Sequence, residues 1–404
     1  INPWWRYQER SIPGGGRVMV NVGTGNLLLQ DDDMSVPHKG VAMAFRRTYN
    51  SQASGPPVGG YRNLYGNGWT NTLDAHLVRV SPTQLSVFDI DGARYDYAQS
   101  GNQWVSTTAG QHATLIFDGS CGYLWVKKSG TIYYFYTVDA VGACASWNLF
   151  AGQLYQIIGR NRNTYITFVY SFDGVGKITQ LSAQAESGMT ATLSFADVSG
   201  RRLLDHLTYP DGVTKVWYGY DSQGNLTWVS RPENNSSSAR PIHSYGYQPI
   251  GSESILQWAS SPRYSTGCGS IGGCGSDGGL INLTFTGTSA QTSTLSSIWH
   301  YAVVNPSIPD GTNTPLQSSY STTAIWYLGE YYTTGVTTPT FRDTDGHMTN
   351  WVVDGSGRPT QTQACTASLN QGQQCIDSTH WLISNETWDS NNNLVAQTDA
   401  RGYE

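Results

Sequence analysis

Tyr170-Ser171-Phe172-Asp173-Gly174-Val175-Gly176-Lys177-Ile178-Thr179 aligns residue for residue with Tyr218-Gly219-Tyr220-Asp221-Ser222-Gln223-Gly224-Asn225-Leu226-Thr227. The shared form is aromatic-x-aromatic-Asp-x-x-Gly-x-Leu/Ile-Thr. Aromatics at i and i+2 fall on one face of a strand. The Asp accepts hydrogen bonds from the N–H groups of the turn. The Gly supplies the positive φ that the turn needs. The Leu or Ile then opens the return strand on the buried face. A weaker copy runs from Trp351 through Asp354 and Gly357 to Thr360, and a further one from Trp388-Asp389 to Leu394. The structural-repeat residues are therefore Tyr170, Phe172, Asp173, Gly176, Tyr218, Tyr220, Asp221, Gly224, Trp351, Asp354, Gly357, Trp388 and Asp389.

Strand signals continue outward from these hairpins. Ala93–Tyr97, Thr131–Tyr136 and Tyr165–Tyr170 are aromatic and β-branched runs. Asp-Gly dipeptides punctuate the chain at Asp91, Asp118, Asp173, Asp211, Asp277, Asp310, Asp345 and Asp354, and this is the strongest short hairpin signal. No 12-residue window keeps an amphipathic helical stripe. The expected fold is all-β, an antiparallel meander of short hairpins forming a β-strip, with no significant helix. Composition agrees. Charged residues are 13% of the 404, against a usual ~25%. Aromatics reach 12%, which excludes a disordered chain, and a coiled coil would be rich in Ala, Glu, Lys and Leu. A net charge of −6 argues against a nucleic-acid binder. No apolar run is long enough to span a bilayer as a helix. The chain starts without Met, at Ile1-Asn2-Pro3, and ends at Gly402-Tyr403-Glu404 as if in mid-turn, so a piece of a longer protein is expected.

The six cysteines fall into three close pairs: Cys121 with Cys144, Cys268 with Cys274, and Cys365 with Cys375. Fifteen connectivities are open, and local pairing is the simplest. Zinc would favour C-x₂₋₄-C spacing, which none of the pairs has. Three local disulfides are the expectation, free thiols and a metal site the alternatives. Disulfides place the protein in an oxidising compartment, secreted or on a cell surface.

The repeated form resembles the YD repeat of the Rhs family. A second stretch carries the resemblance too. Asn21-Val22-Gly23-Thr24-Gly25-Asn26-Leu27 is followed by Arg47-Thr48-Tyr49-Asn50-Ser51 and Gly66-Asn67-Gly68-Trp69, similar to the segment that opens many bacterial Rhs repeat regions. The opening match covers roughly residues 18–76, and the repeat match roughly 150–235 and 340–404. The family includes shells of bacterial polymorphic toxins, shell components of insecticidal toxin complexes, and teneurins. The resemblance implies an opening β domain over 1–120 and a YD-repeat strip over 121–235. It also implies degenerate repeats or a Ser/Thr/Gly-rich insertion over 236–340, and further strip over 341–404.

Searching for chemistry yields little. There is no G-x-S-x-G and no H-E-x-x-H. Gly267–Gly272 formally matches G-x-G-x-x-G, but the Gly273-Cys274-Gly275 that follows cannot open a helix. Asp31-Asp32-Asp33, Asp89–Gly92 and Asp343–Gly346 read as turn formers, with a weak surface calcium site the alternative. The expectation is a non-enzymatic protein without cofactor or metal. The resemblance implies a shell segment that encapsulates and delivers a C-terminal toxin. The alternative is a surface or secreted adhesin that binds glycans with the same strip. Expected partners are the rest of the polypeptide or a neighbouring copy through exposed strand edges, a toxin cargo, or a glycan. Neither nucleic acid nor a membrane span is expected.

Overall fold

The computed structural model describes residues 7–12, 16–37, 40–53, 64–108, 111–139, 142–230, 242–261, 280–289, 292–303, 325–334, 338–343, 347–355, 358–366, 375, 380–390 and 393–401. The fold is all-β and antiparallel. Among the described residues helical structure is confined to 3-10 turns such as Ser51–Ala53 and Gly142–Phe150. None of their helices is long and apolar enough to cross a membrane.

The chain divides into two compact units. One comprises Gln30–Arg240. In it, consecutive strands from His76–Ser81 to Leu226–Ser230 pair antiparallel in sequence order. Burial alternates along them. In Thr190–Val198, Ala191, Leu193 and Phe195 point inward, while Thr192 and Ser194 face solvent. Buried aromatics order the early strands. The Trp125 indole donates to the Tyr97 hydroxyl at 2.8 Å, which donates to the Ala113 carbonyl at 2.9 Å. Lys127 lies over the rings of Trp125 and Tyr133, at 4.7 and 4.3 Å, and gives its ammonium to both oxygens of Asp89 at 2.8 Å.

The other unit comprises Asn2–Leu29 and Pro241–Glu404. Tyr7–Ser11 pairs with Arg17–Asn21, and the strands from Ile242–Ile250 to Leu394–Thr398 again follow sequence order. The Asn21–Asn26 turn binds itself. Asn21 Oδ1 accepts from the N–H groups of Gly23 and Thr24 at 3.1 and 3.2 Å, and Thr24 Oγ1 accepts from Asn26 at 3.3 Å. Gly25 carries φ +68° and gives its carbonyl to the Leu295 N–H at 2.9 Å. A Cβ on Gly25 would lie 2.5 Å from Thr294 Cβ, so only glycine fits.

The repeated hairpin has a consistent build. Asp173 Oδ1 accepts from the N–H groups of Val175 and Lys177, at 3.1 and 2.8 Å. Asp221 Oδ1 does the same for Gln223 and Asn225, both at 2.9 Å. Gly176 and Gly224 take positive φ, +77° and +82°. The clamp on the N–H four residues on recurs at Asp118, Asp343, Asp354 and Asp389. Asp-Gly dipeptides do not all turn alike. Gly92, Gly119 and Gly212 carry positive φ, whereas Gly174 does not, because Gly176 closes that turn.

The hairpins closed by Asp173, Asp221, Asp354 and Asp389 also skip one residue on the return strand, whereas those closed by Asp118 and Asp343 do not. Gly219 pairs with Trp228 and Tyr220 with Leu226, which leaves Thr227 bulged. Thr179 and Thr360 are bulged in the same way. Hairpins without the sequence motif share the step, with Tyr155, Asp205, Gln257 and Ser296 bulged. The Thr that ends the motif has a physical role here. Its hydroxyl donates to the carbonyl across the bulge: Thr179 to Ser171 at 3.2 Å, Thr227 to Gly219 at 3.1 Å, Thr360 to Val352 at 3.2 Å. The residue before the bulge is a buried aliphatic in Leu154, Ile178, Leu204, Leu226, Leu256 and Leu295. Leu394 holds the same place at 46% exposure.

Two outcomes test this build. Thr227→Val removes the hydroxyl donor and should lower unfolding free energy by about 0.5–1.5 kcal/mol, and Asp221→Ala by about 1–3 kcal/mol, read by urea denaturation. His76 gives a pH dependence. It is buried, stacked on Phe88 at 4.7 Å, with Nδ1 2.6 Å from the Asp74 carbonyl. Burial pushes its pKa down to about 4 from 6.5, against the opposing pull of that carbonyl. The unfolded chain therefore takes the proton first on acidification. The His76 contribution is complete above pH 6.5, falls as pH drops toward 4, and totals about 3 kcal/mol. Denaturation midpoints measured across that window should fall more steeply for the wild type than for His76→Phe.

Candidate functional site

The acidic run Asp31-Asp32-Asp33 lies within the strand Leu27–Val36, not in a turn as its composition implied. Strand alternation sends its carboxylates to opposite faces. Asp32 faces solvent and meets Arg46, with Nε donating to Oδ1 at 2.6 Å and Nη2 to Oδ2 at 3.2 Å. Asp31 and Asp33 face inward, and both reach the guanidinium of Arg47 on the neighbouring strand Met43–Asn50, at 2.8 and 3.0 Å. Arg47 is 3% exposed, and it stacks over Trp69 at 5.6 Å.

The first repeat hairpins reach into this cluster. Tyr218 donates its hydroxyl to Asp33 Oδ2 at 2.7 Å, across 185 residues of sequence. Tyr209 donates to the Asp33 main-chain carbonyl at 2.7 Å. The hydroxyl of Tyr220 is buried nearby with no hydrogen-bond partner. Burial, followed by the Asp33 carboxylate, holds the Tyr218 phenol well above its ordinary pKa; burial does the same for Tyr220. Both phenols remain neutral, and Tyr218 is the one that donates.

The Gly66-Asn67-Gly68-Trp69 segment docks on the tip of the same hairpin. Asn67 N donates to the Gly224 carbonyl at 3.1 Å, and Asn67 Nδ2 donates to Asn225 Oδ1 and to the Gln223 carbonyl at 2.9 and 3.1 Å. Arg201 bridges Asn67 Oδ1 and the Gln223 carbonyl, both at 2.9 Å. Gly224 holds φ +82°, a conformation that favours glycine, and a Cβ there would displace the Arg201 guanidinium. The Arg47 and Gly66–Trp69 parts of the opening match thus meet the Asp221 repeat hairpin at one junction.

The other repeat residues serve local packing. Tyr170 donates to the Leu154 carbonyl at 2.7 Å, and Phe150 packs on Tyr170 and Phe172 at 6.1 and 5.3 Å. Asp173 also takes Arg202 Nη2 at 2.7 Å. Trp351 is buried, and Trp388 Nε1 donates to the Pro359 carbonyl at 2.7 Å. Arg358 joins two turn Asp residues, donating to Asp354 Oδ2 at 2.7 Å and to the Asp389 carbonyl at 2.9 Å. Gly357 lies outside the described residues. Cys121–Cys144 and Cys365–Cys375 are disulfides, with Cα atoms 5.7 and 5.9 Å apart. The Cys268–Cys274 pair and the Gly267–Gly272 motif lie outside the described residues. Among the described residues no group of three or more His, Cys, Asp or Glu could hold a metal.

Sequence reasoning missed Asp31, Asp33 and Arg47 as a buried pair set. The signal was present: three acids in a row opposite two arginines in a row match the two faces of adjacent strands.

Comparison with known proteins places part of the chain. Residues 18–97, which hold this acidic and basic pair of strands, match the family model described as Domain of unknown function (DUF6531). The tRNA nuclease WapA of Bacillus subtilis (strain 168) is 25% identical over 246 residues, 57% of this chain and 9% of that protein. The chain thus spans less than a tenth of the curated relative it matches. Among solved structures, TcdB2-TccC3 covers 98% of this chain and 24% of its own at 10% identity and TM-score 0.29. A porin-like protein from Bacteroides uniformis covers 66% and 92% at 7% identity and TM-score 0.26. Scores this low carry no argument. The sequence matches support a YD/Rhs-type relationship.

The junction should be energetically strong. Arg47→Met strands two buried carboxylates and should cost about 3–5 kcal/mol. Tyr218→Phe should cost about 1.5–3 kcal/mol, the range for a hydrogen bond to a charged group. In a double-mutant cycle with Asp33→Asn, most of the Tyr218→Phe loss should disappear.

Proposed function

We propose that this protein is a non-enzymatic wall segment of an exported, toxin-related YD-repeat shell, one that encloses and delivers a C-terminal toxin. The supporting observation is the junction itself. Opening strands and the Asp221 hairpin are joined by a buried ion-pair set, a Tyr hydroxyl and the Asn67 contacts. Such construction serves rigidity, and its groups are engaged with one another. The likeness to WapA fits a toxin-related role. Two disulfides fit an oxidising, extracellular destination. Further polypeptide of the same kind, or a neighbouring copy, is the partner that this reading expects.

The test uses the complete natural polypeptide. Limited proteolysis should leave any segment following the strip protected, and cryo-electron microscopy should show density enclosed by it. Arg47→Met should render that segment cleavable while the strip strands still form. A following segment equally cleavable in wild type and variant would overturn the proposal.

A further inference from the structure

Between the strands Ile132–Tyr136 and Leu154–Ile158 the chain leaves the sheet as a strap. Main-chain bonds pin both of its feet. The Thr137 N–H donates to the Cys121 carbonyl at 2.8 Å, and the Tyr136 N–H donates to the Gln153 carbonyl at 2.9 Å. The Leu77 N–H donates to the Gly152 carbonyl at 2.8 Å. A Cβ on Gly152 would lie 2.0 Å from the Leu77 oxygen, so the strap returns to the sheet through a glycine. Its middle is the 3-10 turn Gly142–Phe150.

Two attachments hold that turn down. At its far end Phe150 packs on Tyr136, Tyr170 and Phe172, with ring centroids 5.1, 6.1 and 5.3 Å away. Leu149 lies over the tip of the Asp173 hairpin, 3.2 Å from where a Cβ on Gly176 would stand. At its near end the attachment is the Cys121–Cys144 disulfide. Around Cys144 the strap faces solvent, with Gly142, Ala143, Ala145, Ser146 and Asn148 exposed. Cys121 stands in a braced turn instead. Asp118 Oδ1 accepts from the N–H groups of Ser120 and Gly122 at 2.8 and 3.1 Å, and the Tyr134 hydroxyl donates to Asp118 Oδ2. The disulfide thus ties an exposed stretch to a fixed one. Cys144 is 8% exposed, whereas Cys121 is half-buried and is the sulfur that a thiol reaches first.

We infer that Cys121–Cys144 is a latch that a dithiol reductant opens, freeing the strap Gly142–Phe150 from the repeat aromatics while the strands on either side stay paired. A thiolate of the reductant attacks Cys121 Sγ, forming a mixed disulfide and expelling the Cys144 thiolate. The second thiol of the reductant then displaces Cys121. Each departing cysteine takes up the proton that its attacking thiol gave off. Two protein thiols form, and the reductant leaves as a disulfide. With the latch open, the Phe150 and Leu149 contacts alone hold the turn, and it lifts from Tyr170 and Phe172 as a local opening. A chain that moves from an oxidising into a reducing compartment would carry the strap closed in the first and open in the second. The inference stands on the strap alone and does not require that the strip enclose a toxin.

Deuterium exchange of the whole chain, read peptide by peptide with and without dithiothreitol, tests it. Reduction should speed exchange in Gly142–Phe150 at least about tenfold. Exchange in Gly122–Val126, Ile132–Tyr136 and Leu154–Ile158 should change less than about twofold. The double variant Cys121→Ser with Cys144→Ser should show the fast strap without reductant and gain nothing from it. Should that variant fail to fold, wild type folded oxidised and then reduced carries the test. Cys365→Ser with Cys375→Ser removes the disulfide of the other unit and should keep the wild-type response of the strap. Thiol labelling shows whether the latch has opened. A Cys121–Cys144 bond that dithiothreitol leaves intact in the folded chain would overturn the inference. So would a reduced strap that exchanges no faster, or flanking strands that open together with it.

Discussion

A β-bulge leaves one residue unpaired and disrupts the ladder around it, so the polar groups there need other partners. In this protein the problem recurs along the chain, because each repeat hairpin skips one residue on its return strand. The solution is local. A Thr at the bulge turns its hydroxyl back across the hairpin, as Thr227 does to Gly219. An Asp at the turn collects the N–H groups that the loop leaves unpaired, as Asp221 does. Turn and bulge are thus satisfied by side chains within ten residues of one another. Each such hairpin carries the groups that fix its own register, and the aliphatic beside the bulge is buried in all the named hairpins but that of Leu394.

Where local chemistry ends, the opening strands take over. Asp31, Asp33 and Arg47 gather charge in a buried place, which is tolerable only because the partners are close and Tyr218 adds a hydroxyl. The cluster depends on the repeat as much as the repeat on it. Without the strand Lys215–Tyr220, Asp33 would lose a donor. Without the opening segment, the Asp221 turn would lose the Asn67 contacts to Gly224, Gln223 and Asn225.

Much of this was legible in the sequence. Tyr170, Asp173, Gly176 and Ile178 are spaced by strand and turn geometry alone, and an Asp followed by Gly at the right offset has few other uses. The hairpin Ile242–Ile250 with Glu253–Ser260 was harder to see. It keeps the bulge and the buried Tyr245 and Leu256, yet has no Asp at its turn, so the marker was missing while the packing remained. The junction was least legible. Tyr218 and Asp33 are far apart in the chain, and nothing local in either segment announces the other. The role of Thr in the motif was visible as a recurrence, but its reason required the register.

Where a Thr settles the bulge inside its own hairpin, as at Thr179, Thr227 and Thr360, the hairpin is an interchangeable part. Inserting or deleting a two-strand unit shifts the chain by an even number of strands. The alternation of inner and outer faces survives in the remaining hairpins, and only the ladders that flank the inserted unit are paired anew. Length in such a chain can therefore drift by gene duplication without a cost in register. The opening segment behaves differently. Its contacts name particular residues, Tyr218, Gly224 and Asn225, so the hairpins beneath it are held to a fixed count while those farther along are free to multiply.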